Sequence, residues 1–195
     1  MIKRHIVFLS VVSLILSFSI TPANAAISKT VFQEALNQVQ VTQDEFVGNY
    51  EIFAYGSVDN WTLDKEENYF DISINLTKKD TKSKWNFTMT SFYWGEDWIF
   101  HNEVNLKSSK GILNFKTFLV DKDVDDGKVT EFAARSLTTS ERLKFCKIIG
   151  GSNVTFRLRG NSGDVTGMMQ DSAISNNSSL CTVYQGLLQG YKPVL

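Results

Sequence analysis

Two neighbouring runs decide the fold: YFDISINL (69–76) and KWNFTMTSFYW (84–94). In the first, Phe70, Ile72, Ile74 and Leu76 share one face, while Asp71, Ser73 and Asn75 take the other. In the second, Trp85, Phe87 and Met89 alternate with Asn86, Thr88 and Thr90. A period of two puts successive side chains on opposite faces of an extended chain, so each run reads as a strand with one buried face. Between them lies a loop carrying Lys78, Lys79, Lys82 and Lys84, which suits a solvated hairpin tip.

Working outward, the same texture continues. WIFHNEVNL (98–106) and GILNFKTFLV (111–120) read as strands separated by the turn-like KSSKG. The only prolines are Pro22 and Pro193. Short strands joined by turns predict a mostly β fold, an antiparallel β-sandwich or partly open barrel. Toward the C-terminus, Thr138 and Glu141 form a capping-box pair that opens a short helix near 139–149, with Gly150 at its exit. NVTFRLRG (153–160) reads as a strand with Val154, Phe156 and Leu158 inward and Arg157 and Arg159 toward solvent. A second helix is expected near 178–190, with an apolar stripe of Leu180, Val183, Tyr184, Leu187, Leu188 and Tyr191.

The N-terminus has a different character. Lys3 and Arg4 precede the apolar run Ile6–Ile20, and Ala23 and Ala25 stand where a signal peptidase cleaves. Residues 1–25 are expected to be a signal peptide cleaved after Ala25, since the run is shorter than the roughly 20 residues that span a membrane. Residues 26–45 read as a helical or loosely ordered lead, with Thr30 and Gln33 as its capping pair and Phe32, Leu36 and Val39 on one face. One β-rich domain, 46–195, would follow. The expected location is the periplasm or outside the cell, with no stable membrane anchor after processing.

Removing 25 of 195 residues leaves 170, with 18 basic against 21 acidic side chains, a net charge of −3. That balance argues against nucleic-acid partners, which select a basic face. Two cysteines remain, Cys146 and Cys181, and an even count in an oxidising compartment favours a disulfide between them. Asn-x-Ser/Thr begins at Asn60, Asn75, Asn86, Asn153, Asn176 and Asn177, a number that chance explains in a chain rich in these residues.

Two stretches invite a chemical reading. In DKDVDDGKVTEF (121–132), Asp121, Asp123 and Asp125 occupy the first, third and fifth positions of a calcium loop. The sixth position is Asp126 where glycine is required, and Phe132 replaces the closing acid. Asp126–Gly127 between strand-like flanks instead predicts a tight hairpin, with calcium at 121–131 as the minor alternative. In SFYWGEDWIFHNE (91–103), Tyr93, Trp94 and Trp98 are candidates to stack on sugar rings if exposed, although a β-protein needs such rings in its core.

Catalytic signals are sparse. His101 is the single histidine after residue 25, and a lone histidine in a strand reads first as a hydrogen-bonded structural residue. Ser162, in GNSGD, misses the G-x-S-x-G elbow and reads as a loop. A glycosidase would need two of Glu96, Asp97, Glu103 and Glu131 facing each other in an aromatic cleft. The expected function is therefore an exported, non-catalytic binding domain whose partner is a protein or a polysaccharide, with a small glycoside hydrolase as the alternative. No cofactor is expected.

Overall fold

The computed structural model describes residues 26–44, 49–54, 62–63, 69–78 and 84–193. The leader (1–25), Lys79, Lys82 and Asn60 lie outside the described residues, as does the side chain of Asp125. The chain runs α1 (Lys29–Leu36), β1 (Val39–Asp44), β2 (Asn49–Ala54), β3 (Thr62–Leu63), β4 (Tyr69–Lys78) and β5 (Asn86–Gly95). Then follow β6 (His101–Ser108), β7 (Gly111–Lys116), β8 (Leu119–Asp125), β9 (Lys128–Ser136) and α2 (Thr139–Ile149). The chain closes with β10 (Thr155–Gly160), β11 (Asp164–Met168) and α3 (Asp171–Leu188).

The strands form two antiparallel sheets, consistent with a β-sandwich. The larger has the order β1-β2-β4-β5-β9-β8, with β3 against β4; the smaller has the order β11-β10-β6-β7. The decisive pair holds its register from Tyr69↔Trp94 to Thr77↔Asn86. This puts Leu76, Phe87 and Met89 on the buried face, as their alternation requires. Besides the passage from β9 through α2 to β10, the chain crosses between sheets at two corners. Residues 96–100 carry it from β5 to the smaller sheet. At Thr117 and Phe118 it returns, so the run 111–120 is two strands, β7 and β8, in different sheets. Thr117 N–H donates to the Asn102 carbonyl at 2.8 Å and fixes that second corner.

All three helices join the same apolar core as the sheets. α3 packs on β1, β2 and β4, while α2 covers β6 and β7. Phe87 of β5 meets Phe145 of α2 and Tyr184 of α3 edge-on, with ring centroids 5.9 and 5.1 Å apart. α1 lies on α3, where Gly186 lets the Phe32 ring in: a Cβ there would stand 2.2 Å from the ring. Residues 26–44 contribute α1 and β1, and β1 is hydrogen-bonded to β2.

The capping box of α2 forms as read, with Thr138 Oγ1 accepting from Glu141 N–H and Glu141 Oε2 accepting from Thr138 N–H. The cap of α1 is Ser28, not Thr30: its Oγ accepts from Val31 N–H at 3.2 Å. α3 begins at Asp171, earlier than expected, and Leu188 of its predicted stripe faces solvent. Two strands, β10 and β11, separate α2 from α3, and Ser162 lies in the turn joining them. Cys146 and Cys181 are disulfide-bonded, tying α2 to α3.

Candidate functional site

The inner faces of β5 and β9 each carry one fully buried polar residue where the pattern calls for an apolar one. On β5 it is Ser91, between Met89 and Tyr93; on β9 it is Glu131, between Val129 and Ala133. Opposite them, the smaller sheet places His101 at the start of β6. The three meet in the core, with relative exposures of 1 % (Ser91), 0 % (His101) and 0 % (Glu131).

Their geometry is a linear relay. His101 Nδ1 lies 2.9 Å from Glu131 Oε2, and His101 Nε2 lies 2.9 Å from Ser91 Oγ. Glu131 also accepts three backbone N–H groups: Ile99 and Phe100 on Oε1 at 2.8 and 2.6 Å, and His101 on Oε2 at 2.8 Å. Because the carboxylate can only accept, Nδ1 carries a proton, and in the neutral ring Nε2 is left to accept the Ser91 hydroxyl. Burial pushes the Glu131 carboxyl upward, but the bonds from His101 and from the Phe100 and His101 amides outweigh it and hold the group below the usual carboxylate range.

The corner that feeds these amides is tightly made. Phe100 takes a left-handed conformation (φ 53°), which turns successive N–H groups toward one carboxylate. Gly160 of β10 lies against the same backbone, where a Cβ would stand 1.9 Å from the Ile99 carbonyl oxygen.

Serine, imidazole and carboxylate in this order are the parts of an acyl-transfer triad. Here the serine oxygen is sealed, so no substrate carbonyl reaches it in this conformation. What the cluster does is join the sheets: Ser91 and Glu131 belong to one, His101 to the other, and the side chains of all three are hydrogen-bonded within it. The lone-histidine reading thus describes His101, with partners the sequence reading had not named. Polar residues at inward strand parity were the signal for Ser91 and Glu131.

The residues singled out for sugar stacking are dispersed. Tyr93 points inward, is buried, and donates its hydroxyl to the Asp97 carbonyl at 3.0 Å, so it cannot offer a ring to a ligand. Trp94 is on the outer face, half-buried, with Lys128 Nζ 5.2 Å from its ring centre. Trp98 stacks on Phe100 at 5.5 Å, and Lys122 covers the Phe100 ring from 5.8 Å. On the outer face, Phe92 lies directly across from Phe132.

The four acids do not assemble either. Glu131 is enclosed in the core. Glu103 belongs to the smaller sheet and is held by Asn105 and Lys116, both at 2.7 Å, whose hydrogen bonds keep its carboxyl below the usual range. Glu96 pairs with Lys128 at 3.1 Å, and Asp97 is exposed on the first corner. A glycosidase that used Glu131 would have to open the core.

The acidic stretch is a hairpin. β8 and β9 pair through Asp125↔Lys128, with Asp126 (φ 48°) and Gly127 (φ 77°) as the two turn residues, both in the left-handed region that a type I′ turn needs. Asp121 and Asp123 each accept the N–H of the next residue, Lys122 at 2.9 Å and Val124 at 2.8 Å. β8 is the outermost strand of its sheet, and these carboxylates take donors that a neighbouring strand would otherwise meet. Among the described residues no group of three or more His, Cys, Asp or Glu could hold a metal ion.

No protein-family model, no curated protein and no solved structure matches this chain.

Proposed function

We propose that this is an exported, non-catalytic binding domain whose partner is a protein, engaged through edge strand β8. The observation that carries the reading is the exposure of Phe118, Val120 and Val124, at 73, 63 and 57 %, on or beside a single outermost strand. Large apolar side chains gathered on one edge are costly in water unless something covers them. Asp121 and Asp123 lie on the opposite face of the strand from Val124, and with Asp126 at the turn they favour basic groups on a partner that wraps this edge. Export is supported by the leader-like first 25 residues and by the Cys146–Cys181 disulfide, which persists in oxidising compartments. No described helix is long and apolar enough to cross a membrane.

Photo-crosslinking from positions 118, 120 and 124 in cells producing the protein tests this. The expected result is one discrete adduct from these positions, absent from a probe at Asn161 and lost in the Asp121→Lys/Asp123→Lys variant. Equal labelling from Asn161, or no adduct, overturns it. An adduct of twice the chain mass would make the partner a second copy.

A further inference from the structure

A groove with a cavity of about 270 Å³ opens between α2 and α3. None of its lining residues belongs to β8 or to the Ser91–His101–Glu131 cluster. From α2 it takes Thr139, Arg142, Leu143 and Cys146, the i, i+3, i+4, i+7 spacing of a single helical face. Cys181, Tyr184 and Leu188 follow the same spacing on α3. The two faces are tied side chain to side chain. Cys146 is disulfide-bonded to Cys181, and one turn nearer the start of α2 the Arg142 guanidinium donates through Nη1 to the Tyr184 hydroxyl.

We infer that this groove binds a short amphiphilic carboxylate, a fatty acid whose head meets Arg142 and whose chain lies on Leu143, Leu188 and the disulfide. The donors call for the head group. Among the described residues Arg142 has no carboxylate in salt-bridge reach, whereas Arg135 pairs with Glu141 and Arg157 with Asp164. Its bonds go to neutral oxygens, Nη1 to Tyr184 and Nη2 to Thr139 Oγ1 at 2.7 Å, and its Nε is shut off from water without an acceptor. Because the Tyr184 oxygen accepts from the guanidinium, its own O–H is left to donate, and it has no acceptor among the described residues. A guanidinium and a hydroxyl with protons left to give therefore stand side by side. A carboxylate satisfies both, through charge-assisted hydrogen bonds.

The lining sets the charge and the shape of the rest. Among the described residues Arg142 is its one charged side chain, which matches a monoanion. A phosphate dianion would bring a second charge among apolar walls with nothing to balance it. Leu143 and Leu188 are 55 and 65 % exposed beside the groove, and the half-buried Cys146–Cys181 bridge adds an uncharged floor. Methylenes laid over them remove apolar surface from water. The cavity is slightly smaller than the roughly 300 Å³ at which sites for drug-sized ligands begin, which suits one short chain and not a two-chain lipid.

Titration of the isotope-labelled protein with octanoate, followed by amide chemical shifts, tests the site, with octanol, octyl phosphate and acetate as separate arms. The expected result is saturable octanoate binding with shifts centred on 139–146 and 181–188. Arg142→Gln should weaken it about tenfold or more, the loss of one charged hydrogen-bonded contact. Leu143→Gln/Leu188→Gln changes only exposed side chains, so it should melt as the wild type does and weaken binding about fivefold or more. Absence of saturable octanoate binding overturns the inference, as does binding that either variant leaves unchanged. Octanol binding as tightly as octanoate overturns the role of the carboxylate, octyl phosphate doing so overturns the monoanion, and acetate doing so overturns the chain. None of these outcomes touches crosslinking at β8, so the two readings fail separately.

Discussion

Glu131 holds His101 twice, accepting its backbone N–H at 2.8 Å and its ring Nδ1–H at 2.9 Å on the same carboxylate oxygen. A side chain from the larger sheet thereby fixes both the backbone and the ring of the first residue in β6. Deep burial makes every member of such a network matter, because a donor left without a partner cannot turn to water.

Replacing Glu131 by Gln keeps the volume but presents an NH₂ group where N–H donors converge. We expect a loss of about 3 kcal/mol or more, by the cost of breaking a buried charged network. Ser91→Ala removes one hydroxyl from the end of the relay and should cost only about 1 kcal/mol. Urea unfolding of both variants measures the ranking. If Ser91→Ala proves the more damaging, the carboxylate is not the centre of the cluster.

The depressed Glu131 carboxyl predicts a pH dependence with a definite sign. The folded state binds this proton less readily than the unfolded chain, whose carboxyl titrates near the ordinary 4.5. Its stabilisation is present above that value and is lost as pH falls through the lower folded value. Glu141, where burial is outweighed by bonds from Thr138 and Arg135, acts in the same direction. Unfolding free energies measured from pH 7 down to pH 3 should fall, and fall less steeply for Glu131→Gln. Parallel curves would remove Glu131 from the acid response.

Reduction of Cys146–Cys181 releases a link across 35 residues that include both strands between α2 and α3. The chain-entropy account puts its contribution at about 4 kcal/mol. Urea midpoints with and without reductant should differ accordingly, and Cys146→Ser/Cys181→Ser should match the reduced protein.

Two glycines are held to their places by neighbours of different stiffness. A Cβ on Gly160 would meet the Ile99 backbone, and one on Gly186 would meet the Phe32 ring. Overpacking costs about 1–3 kcal/mol where side chains can shift and more where backbone must. Gly160→Ala should therefore be the worse of the two, and its damage should extend to the His101 corner. Thermal melts rank them, and the His101 ring proton shifts report the corner.

Local patterns made much of the fold readable from the chain. Alternation at 70–76 and 85–89 specified two strands, with Leu76, Phe87 and Met89 on the buried face. Thr138 with Glu141 announced α2, and Asp126–Gly127 announced the β8–β9 turn. In each case the residues that interact are neighbours in sequence, and the backbone conformation follows from their own chemistry. The signal weakened where local chemistry is silent. α3 begins at Asp171 with no side-chain cap on its first turn, and its first half, DSAISNNSS, offers only Ala173 and Ile174 as apolar side chains.

The chain by itself thus determined a two-faced β architecture, a capped α2 and a tight acidic hairpin, because these depend on residues a few positions apart. Only the tertiary structure decided that run 111–120 divides between two sheets and that Ser91, His101 and Glu131 meet. It also decided that Tyr93 turns inward while Trp94 stays out. Glu131 is 30 residues from His101, and Ser91 is 10. Their inward parity could be counted along each strand. Which inward residues would touch depended on how the two sheets stack, and that is settled by packing across the whole core.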